Sequence, residues 1–239
     1  MSENRFIPIS GTTGEGEQSM KLDYSVIMPF MPVFLEGAWM TVKLSALSLA
    51  LGLLLGMIGG LCKTSSIWPL RAIANLYTWI FRGTPLLVQL FILYFGLPQL
   101  GITMEPFQAG VLGMALNTGA YATEIVRSGL MAVDRGQSEA ASALGMSRSV
   151  ALLRVIGPQA VKVIIPPLVN QFIMTIKNSS MVSLVTITEL FRTGESVIVS
   201  TFRSFEVYTV IAIMYLIMTS ILMVVAKQLE KGMSAHDRA

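Results

Sequence analysis

Long apolar runs separated by short polar connections dominate this chain. A transmembrane helix needs about 20 predominantly apolar residues. Five stretches reach that length, at about 38–62, 72–97, 107–126, 163–186 and 207–227. The first is leucine-rich and carries Gly52, Gly56, Gly59 and Gly60. Gly52 and Gly56 form a small-xxx-small pair, which lets another helix approach closely but is common in membrane helices. The second is interrupted by Arg82-Gly83-Thr84-Pro85. Proline removes a helix hydrogen bond and glycine loosens the turn, so a kink or break is expected there. The fourth holds Pro166-Pro167 near its start and then Lys177-Asn178-Ser179-Ser180. The fifth, rich in Ile and Met, carries no candidate chemistry and is expected to pack or face lipid. With no internal repeat and no long linker, the pattern predicts an all-α polytopic membrane protein with five spans.

One segment departs from this pattern. Glu139-Ala140-Ala141-Ser142-Ala143-Leu144-Gly145-Met146 is polar at its start, alanine-rich and stopped by a glycine. It is too short to cross a bilayer. Alanine is the best helix former, Ser138 or a nearby residue is the expected N-cap, and Gly145 is a natural stop. A second helical run, Ser149 to Val155, is expected to end at Gly157-Pro158.

Basic residues orient the chain. Arg127, Arg135, Arg148, Arg154 and Lys162 surround the short segment, Lys63 and Arg71 join the first two spans, and Lys227, Lys231 and Arg238 follow the last. The opposite side has Arg5, Lys21, Lys43, Arg192 and Arg203. Cytoplasmic loops are enriched in Lys and Arg, so the N-terminus is expected outside and the 127–162 loop and C-terminus inside. A lipid-bound surface helix wants bulky apolar residues opposite basic ones. Alanines with a glutamate do not match, so docking to a partner is the better reading, with Glu139 placed to meet an arginine.

Composition agrees. The chain is 53% hydrophobic and 13% charged, against roughly 25% charged residues in soluble domains. A net charge of +3 fits loop bias better than nucleic-acid binding. One cysteine, Cys62, and one histidine, His236, exclude an internal disulfide and argue against zinc or redox chemistry. No Gly-x-x-x-x-Gly-Lys-Ser/Thr loop is present to cradle ATP phosphates. An integral membrane enzyme would want paired carboxylates or a metal set, and many secondary transporters show two matching halves; the sequence has neither. Residues 1–19 are either a disordered tail or a stretch ahead of a second plausible start at Met20.

Several intramembrane polar residues are candidates for a substrate path. Arg82 should face a protected or wet site, or else snorkel to headgroups from near the cytoplasmic end. Gln89, about two turns deeper, lines a path or bonds a neighbouring helix. Asn117, Tyr121 and Glu124 share one helical face; the first two are candidates for contact with substrate or partner, and Glu124 for a structural pair with Arg127. Lys177 favours a carboxylate, while the cluster it shares with Asn178 is as well read as a hydrogen-bonded bend. Phe202 and Phe205, with Glu189, Glu195 and Glu206, belong to an outer loop that is either a docking site or ordinary solvated surface.

Glu139-Ala140-Ala141, Gly145 and the stretch ending Pro158-Gln159-Ala160 resemble the EAA loop of ABC-importer permeases. Gly157 departs from the bulky apolar residue usual before that proline. Gly37 to Ser45, Phe81 to Leu90 with its Arg-Gly-Thr-Pro, Leu116 to Glu124, Arg135-Gly136-Gln137 and Glu189-Leu190-Phe191-Arg192 resemble the polar amino-acid subfamily (histidine, glutamine, arginine and cystine types). Some relatives carry an acid where Asn178 stands. The resemblance implies a type I importer fold with five transmembrane helices and a cytoplasmic coupling helix. It implies a lead-in over residues 1–36, a permease domain over 37–227 and a tail over 228–239. Glu139, Ala140, Ala141 and Gly145 would couple to the ATPase, and Arg82, Gln89, Asn117, Tyr121, Lys177 and Asn178 would line the path. The implied partners are a cytoplasmic ATPase dimer that holds ATP and magnesium, a second permease chain of the same or homologous kind, a periplasmic or surface solute-binding protein, and inner-membrane lipid. This chain itself would need no cofactor or metal and would be a transport subunit, not an enzyme. An importer for an opine or sulfur compound is the alternative.

Overall fold

The computed structural model describes residues 22–235, and the expectations for residues 1–19, His236 and Arg238 fall outside them. Helices and turns account for the described regular structure. Two 3-10 turns, Tyr24–Val26 and Met28–Phe30, lead into α1 (Met31–Thr64). Asp23 accepts hydrogen bonds from the Ser25 backbone and hydroxyl, which hold its carboxyl below the usual carboxylate range.

The packing of α1 inverts the water-soluble rule. Gly37, Thr41, Ser45, Ser48, Gly52, Gly56, Gly59 and Gly60 are buried, whereas Leu47, Leu51, Leu54, Met57, Ile58 and Leu61 are exposed. Lipid tails are as apolar as leucine, so helices associate through close packing of small residues, with the large ones left to the lipid. From Gly52 to Gly60 the stripe lies on α4 (Pro106–Ala132), whose facing surface is also largely Gly, Ala and Thr, while Gly37 packs against Leu190 and Thr193. A Cβ added at Gly56 would sit 2.4 Å from the Ala122 Cβ, and one at Gly60 2.4 Å from Val126 Cγ1. Paired positions ascend together, from Gly52 against Thr118 to Gly60 against Val126, so α1 and α4 run in the same direction.

Three segments are long and apolar enough to cross a membrane alone: Tyr24–Thr64, Arg148–Val185 and Ser204–Gln228. The second expected span is a broken one, α2 (Trp68–Gly83) and α3 (Leu86–Phe91), the latter continuing as tighter and wider turns to Leu100 with a bend of 104° between the halves. The remaining span is α4, too rich in Gly, Asn and Thr to pass on hydropathy. At 27 residues it is roughly 40 Å long, ample for a crossing. It packs on α1, α2 and α3, so it need not satisfy lipid.

The expected stop at Gly157-Pro158 does not occur. α5 (Arg135–Ala143) is followed by α6 (Arg148–Ala151), a wide turn Leu152–Ile156 and α7 (Gly157–Asn178) in one continuous column. Pro158 sits in the first turn of α7, where a missing N–H costs little. α7 runs opposite to α4: a Cβ at Gly129 would meet Ile164, and the Thr118 and Thr175 hydroxyls lie 3.1 Å apart.

The outer segment is more structured than a solvated loop. It folds as α8 (Leu190–Thr201) before α9 (Ser204–Ala235). Glu189 is fully buried and caps α8 by accepting from the Arg192 backbone N–H at 2.9 Å. It also accepts from the Thr41 hydroxyl at 3.2 Å and the Tyr215 hydroxyl at 2.8 Å, tying α1, α8 and α9 together. Glu206 is buried too, accepting from the Asp23 N–H and Arg203. Phe202 and Phe205 are exposed, as a surface loop would have them. The exposed face of α9, from Ile213 to Val225, is aliphatic, in keeping with lipid contact.

Gly56→Val tests the α1–α4 contact. The added atoms meet the backbone as well as the side chain of Ala122, so the variant is expected to lose at least about 1–3 kcal/mol. Leu54→Ala, on the exposed face of the same helix, is expected to stay within about 0.5 kcal/mol. Thermal unfolding in detergent micelles, followed by circular dichroism, measures both.

Candidate functional site

The break between α2 and α3 organises the site. Thr84 and Pro85 are extended, so the backbone ladder is interrupted within the second expected span. Broken helices are tolerated at that depth only where protein groups re-satisfy the freed backbone. Gln89 does this: its Nε2 donates toward the carbonyls of Phe81 and Thr84 and the Thr84 hydroxyl, at 2.9, 3.1 and 2.9 Å. From α4, Asn117 Nδ2 donates to the Phe81 carbonyl at 3.1 Å and to Gln89 Oε1 at 3.2 Å. Gln89 thus bonds its neighbours within a buried knot.

Beside the knot lies a cleft of about 320 Å3, lined by Thr84 to Leu87, Asn117, Tyr121, Gln171, Met174, Asn178 and Met181. It is at the small end of the range for ligand pockets. The break, α4 and the far end of α7 therefore bring Asn117, Tyr121 and Asn178 to one space, with no charged side chain among the lining residues. Lys177 is exposed and does not line it. Gln171 is a lining residue the sequence did not single out; it lies seven residues, two helical turns, before Asn178 and so on the same face.

Arg82 leaves the cleft on the other side of Tyr121. Its guanidinium lies 5.4 Å from the centre of that ring, and Nη1 is 3.8 Å from Glu124 Oε1. Glu124 also pairs with Lys63 and, at 2.8 Å, with Arg127 Nε. The expected Glu124–Arg127 pair is therefore one edge of a four-membered cluster joining α1, α2 and α4. The share of α1 in it, through Lys63, carried no signal in the sequence beyond its cytoplasmic position.

The alanine segment is a separate feature. α5 begins earlier than expected, capped by Asp134, which accepts from the Gly136 N–H at 2.8 Å. Ser138 is inside the helix, its carbonyl accepting from Ser142. Gly145, at φ +74°, ends it as the αL residue of a Schellman motif: its N–H reaches the Ser142 carbonyl and the Met146 N–H the Ala141 carbonyl, both at 3.0 Å. Ala141 faces inward; Glu139, Ala140, Ala143 and Leu144 are exposed. Gln159 of α7 donates to Gln137 of α5 at 3.3 Å, so the short helix is pinned to the base of the long column. No group of His, Cys, Asp and Glu among the described residues is placed to hold a metal ion.

A helical bundle with a broken span, a polar cleft at the break and a short exposed helix at one end is the architecture of a membrane permease. The family model for the inner-membrane component of binding-protein-dependent transport systems matches residues 49–235, and the chain belongs to that family. It is 38% identical to the glutamine transport system permease protein GlnP of Escherichia coli (strain K12), over 90% of this chain and 99% of that one. It is equally 38% identical to the arginine transport system permease protein ArtQ of Bacillus subtilis (strain 168), over 91% and 100%. A crystal structure of an amino acid ABC transporter with histidines superposes with a TM-score of 0.84 at 42% identity, over 89% of this chain and 99% of that chain. The chain is accordingly a transport subunit of ABC-importer type, not an enzyme.

Gln89→Leu is expected to strand the carbonyls at the break, at about 1–3 kcal/mol. In a double-mutant cycle with Asn117→Leu the two changes should couple by more than about 0.5 kcal/mol. Strict additivity of the unfolding free energies would show that the knot does not act as a unit.

Proposed function

We propose that this chain is the permease subunit of an ATP-driven importer of a polar amino acid, in the bacterial inner membrane with its N-terminus outside and C-terminus inside. The relatives' names, glutamine and arginine permeases, support the substrate class. The Lys and Arg content of the connections supports the orientation. The permease domain is assigned to residues 37–227, between the N-terminal lead-in and the C-terminal tail.

One observation carries the coupling role: α5 is capped at both ends, attached at its base and otherwise uncovered. A nine-residue helix cannot be kept for its own burial when only Ala141 is buried. Its outer face, Glu139, Ala140 and Leu144 with the turn at Gly145, is offered to a cytoplasmic ATPase dimer, which binds ATP and magnesium. Movement of α5 passes to α6 and α7, and α7 ends at Asn178 beside the cleft. With a second permease chain, the cleft opens alternately to a solute-binding protein outside and to the cytoplasm. Asn117, Tyr121 and Asn178 contact substrate there, Gln89 holds the break, and Arg82 and Lys177 flank the path.

Glu139→Lys reverses an exposed charge on α5 without touching its caps. Insertion and thermal stability are expected to be unchanged, while ATPase co-purification and labelled amino-acid uptake fall by at least about tenfold, the scale of a lost interfacial charge pair. Unchanged co-purification and uptake would remove α5 from the coupling role.

A further inference from the structure

We propose that a pocket between the end of α1, the side of α2 and α4 binds the phosphate-bearing headgroup of an anionic phospholipid. The pocket measures about 450 Å3 and is lined by Lys63, Asn75, Thr78, Trp79, Arg82 and Glu124, with Gly83 at its edge. Its charge is unbalanced. Lys63 and Arg82 line the pocket against the single Glu124 carboxylate, and Arg127, just outside it, pairs with the same carboxylate, so the lining and its neighbour carry a positive surplus. The Lys63 and Glu124 side chains are only 8% and 18% exposed, whereas the Arg82 side chain is 43% exposed and so open to an incoming anion. A Cβ on Gly83 would meet nothing within 4 Å, so the side next to Arg82 is open.

The rim identifies the occupant. Trp79 is 74% exposed, and Trp68, Ile73, Leu76 and Ile80 extend an apolar surface along α2. An anion that fills the pocket and covers that surface must itself carry apolar chains. A phospholipid does both, its phosphate on Arg82 and Lys63 and its acyl chains along α2; a free phosphate would leave the apolar surface uncovered. Lys63 lies next to the last residue of α1, near the headgroup level where Trp side chains gather. Basic pockets between transmembrane helices on the cytoplasmic side bind such headgroups. Occupancy would fix Arg82, the residue just before the break, and so steady the wall behind Tyr121. The inference needs the membrane assignment but neither the substrate nor the coupling reading.

The test uses the full transporter with its ATPase, in micelles containing equal phosphatidylglycerol and phosphatidylcholine, and counts retained lipid by native mass spectrometry. The wild-type complex should keep phosphatidylglycerol in preference, and millimolar inorganic phosphate should not displace it. Arg82→Gln and Asn75→Asp should each cut retention about fivefold, the weight of one charge at an anionic membrane surface. Asn75 is exposed, so its variant decides the matter alone if Arg82→Gln misfolds. Equal retention of the two lipids, undiminished phosphatidylglycerol in Asn75→Asp, or displacement by inorganic phosphate would each overturn the proposal. Amino-acid uptake in the same variants reports separately on import, so either assignment can fail without the other.

Discussion

The contact between α1 and α4 is the constraint from which the rest of the molecule follows. A stripe of residues without side chains, or with very short ones, lets two backbones approach until Gly56 leaves no room for a methyl group against Ala122. In a solvent of hydrocarbon, that proximity supplies the dispersion contacts that oil–water partition supplies elsewhere. Because α1 shields α4 on one side and α2, α3 and α7 shield it on others, α4 is free to carry Asn117, Tyr121 and Glu124. Each polar cluster around the break has a member on this helix that its neighbours shield.

That arrangement explains which features the sequence disclosed. Three of the crossings pass on length and hydropathy alone and a fourth passes as a broken pair, because lipid touches much of their surface. The α4 crossing was read as an apolar stretch at 107–126, although its helix falls short on hydropathy in the structure. The Arg-Gly-Thr-Pro break was legible because proline and glycine act locally. The role of Gln89 was not, since its partners at Phe81 and Thr84 become available only once the helix has broken and folded back. Glu189 was misread as loop surface for a similar reason: its donors, Thr41 and Tyr215, are 148 and 26 residues away. The stop expected at Gly157-Pro158 failed because the same dipeptide that ends one helix can open the next, and the wide turn at Leu152–Ile156 absorbs the mismatch.

Two mechanical elements meet at the cleft. One is stiff: the column through α6 and α7 reaches from the base of α5 to Asn178 with no flexible joint, apart from the slack that Pro166 and Pro167 introduce. The other is hinged: the 104° bend of α2 on α3 is bridged by the Gln89 and Asn117 amides and the Thr84 hydroxyl. A push on the stiff element acts on a wall whose hinge is made of exchangeable hydrogen bonds. Such a joint can move without unfolding a helix, since the break is already present in the resting backbone.

The buried carboxylate of Glu189 has a consequence for how the chain is made. Its shell closes only when Tyr215 of α9 arrives beside Thr41 of α1. Until then an acid held by hydroxyl and backbone donors sits at an unfinished seam, still wet. Synthesis of α9 and dehydration of that seam are thus tied together: a chain cut before α9 would leave the Glu189 carboxylate without its Tyr215 donor.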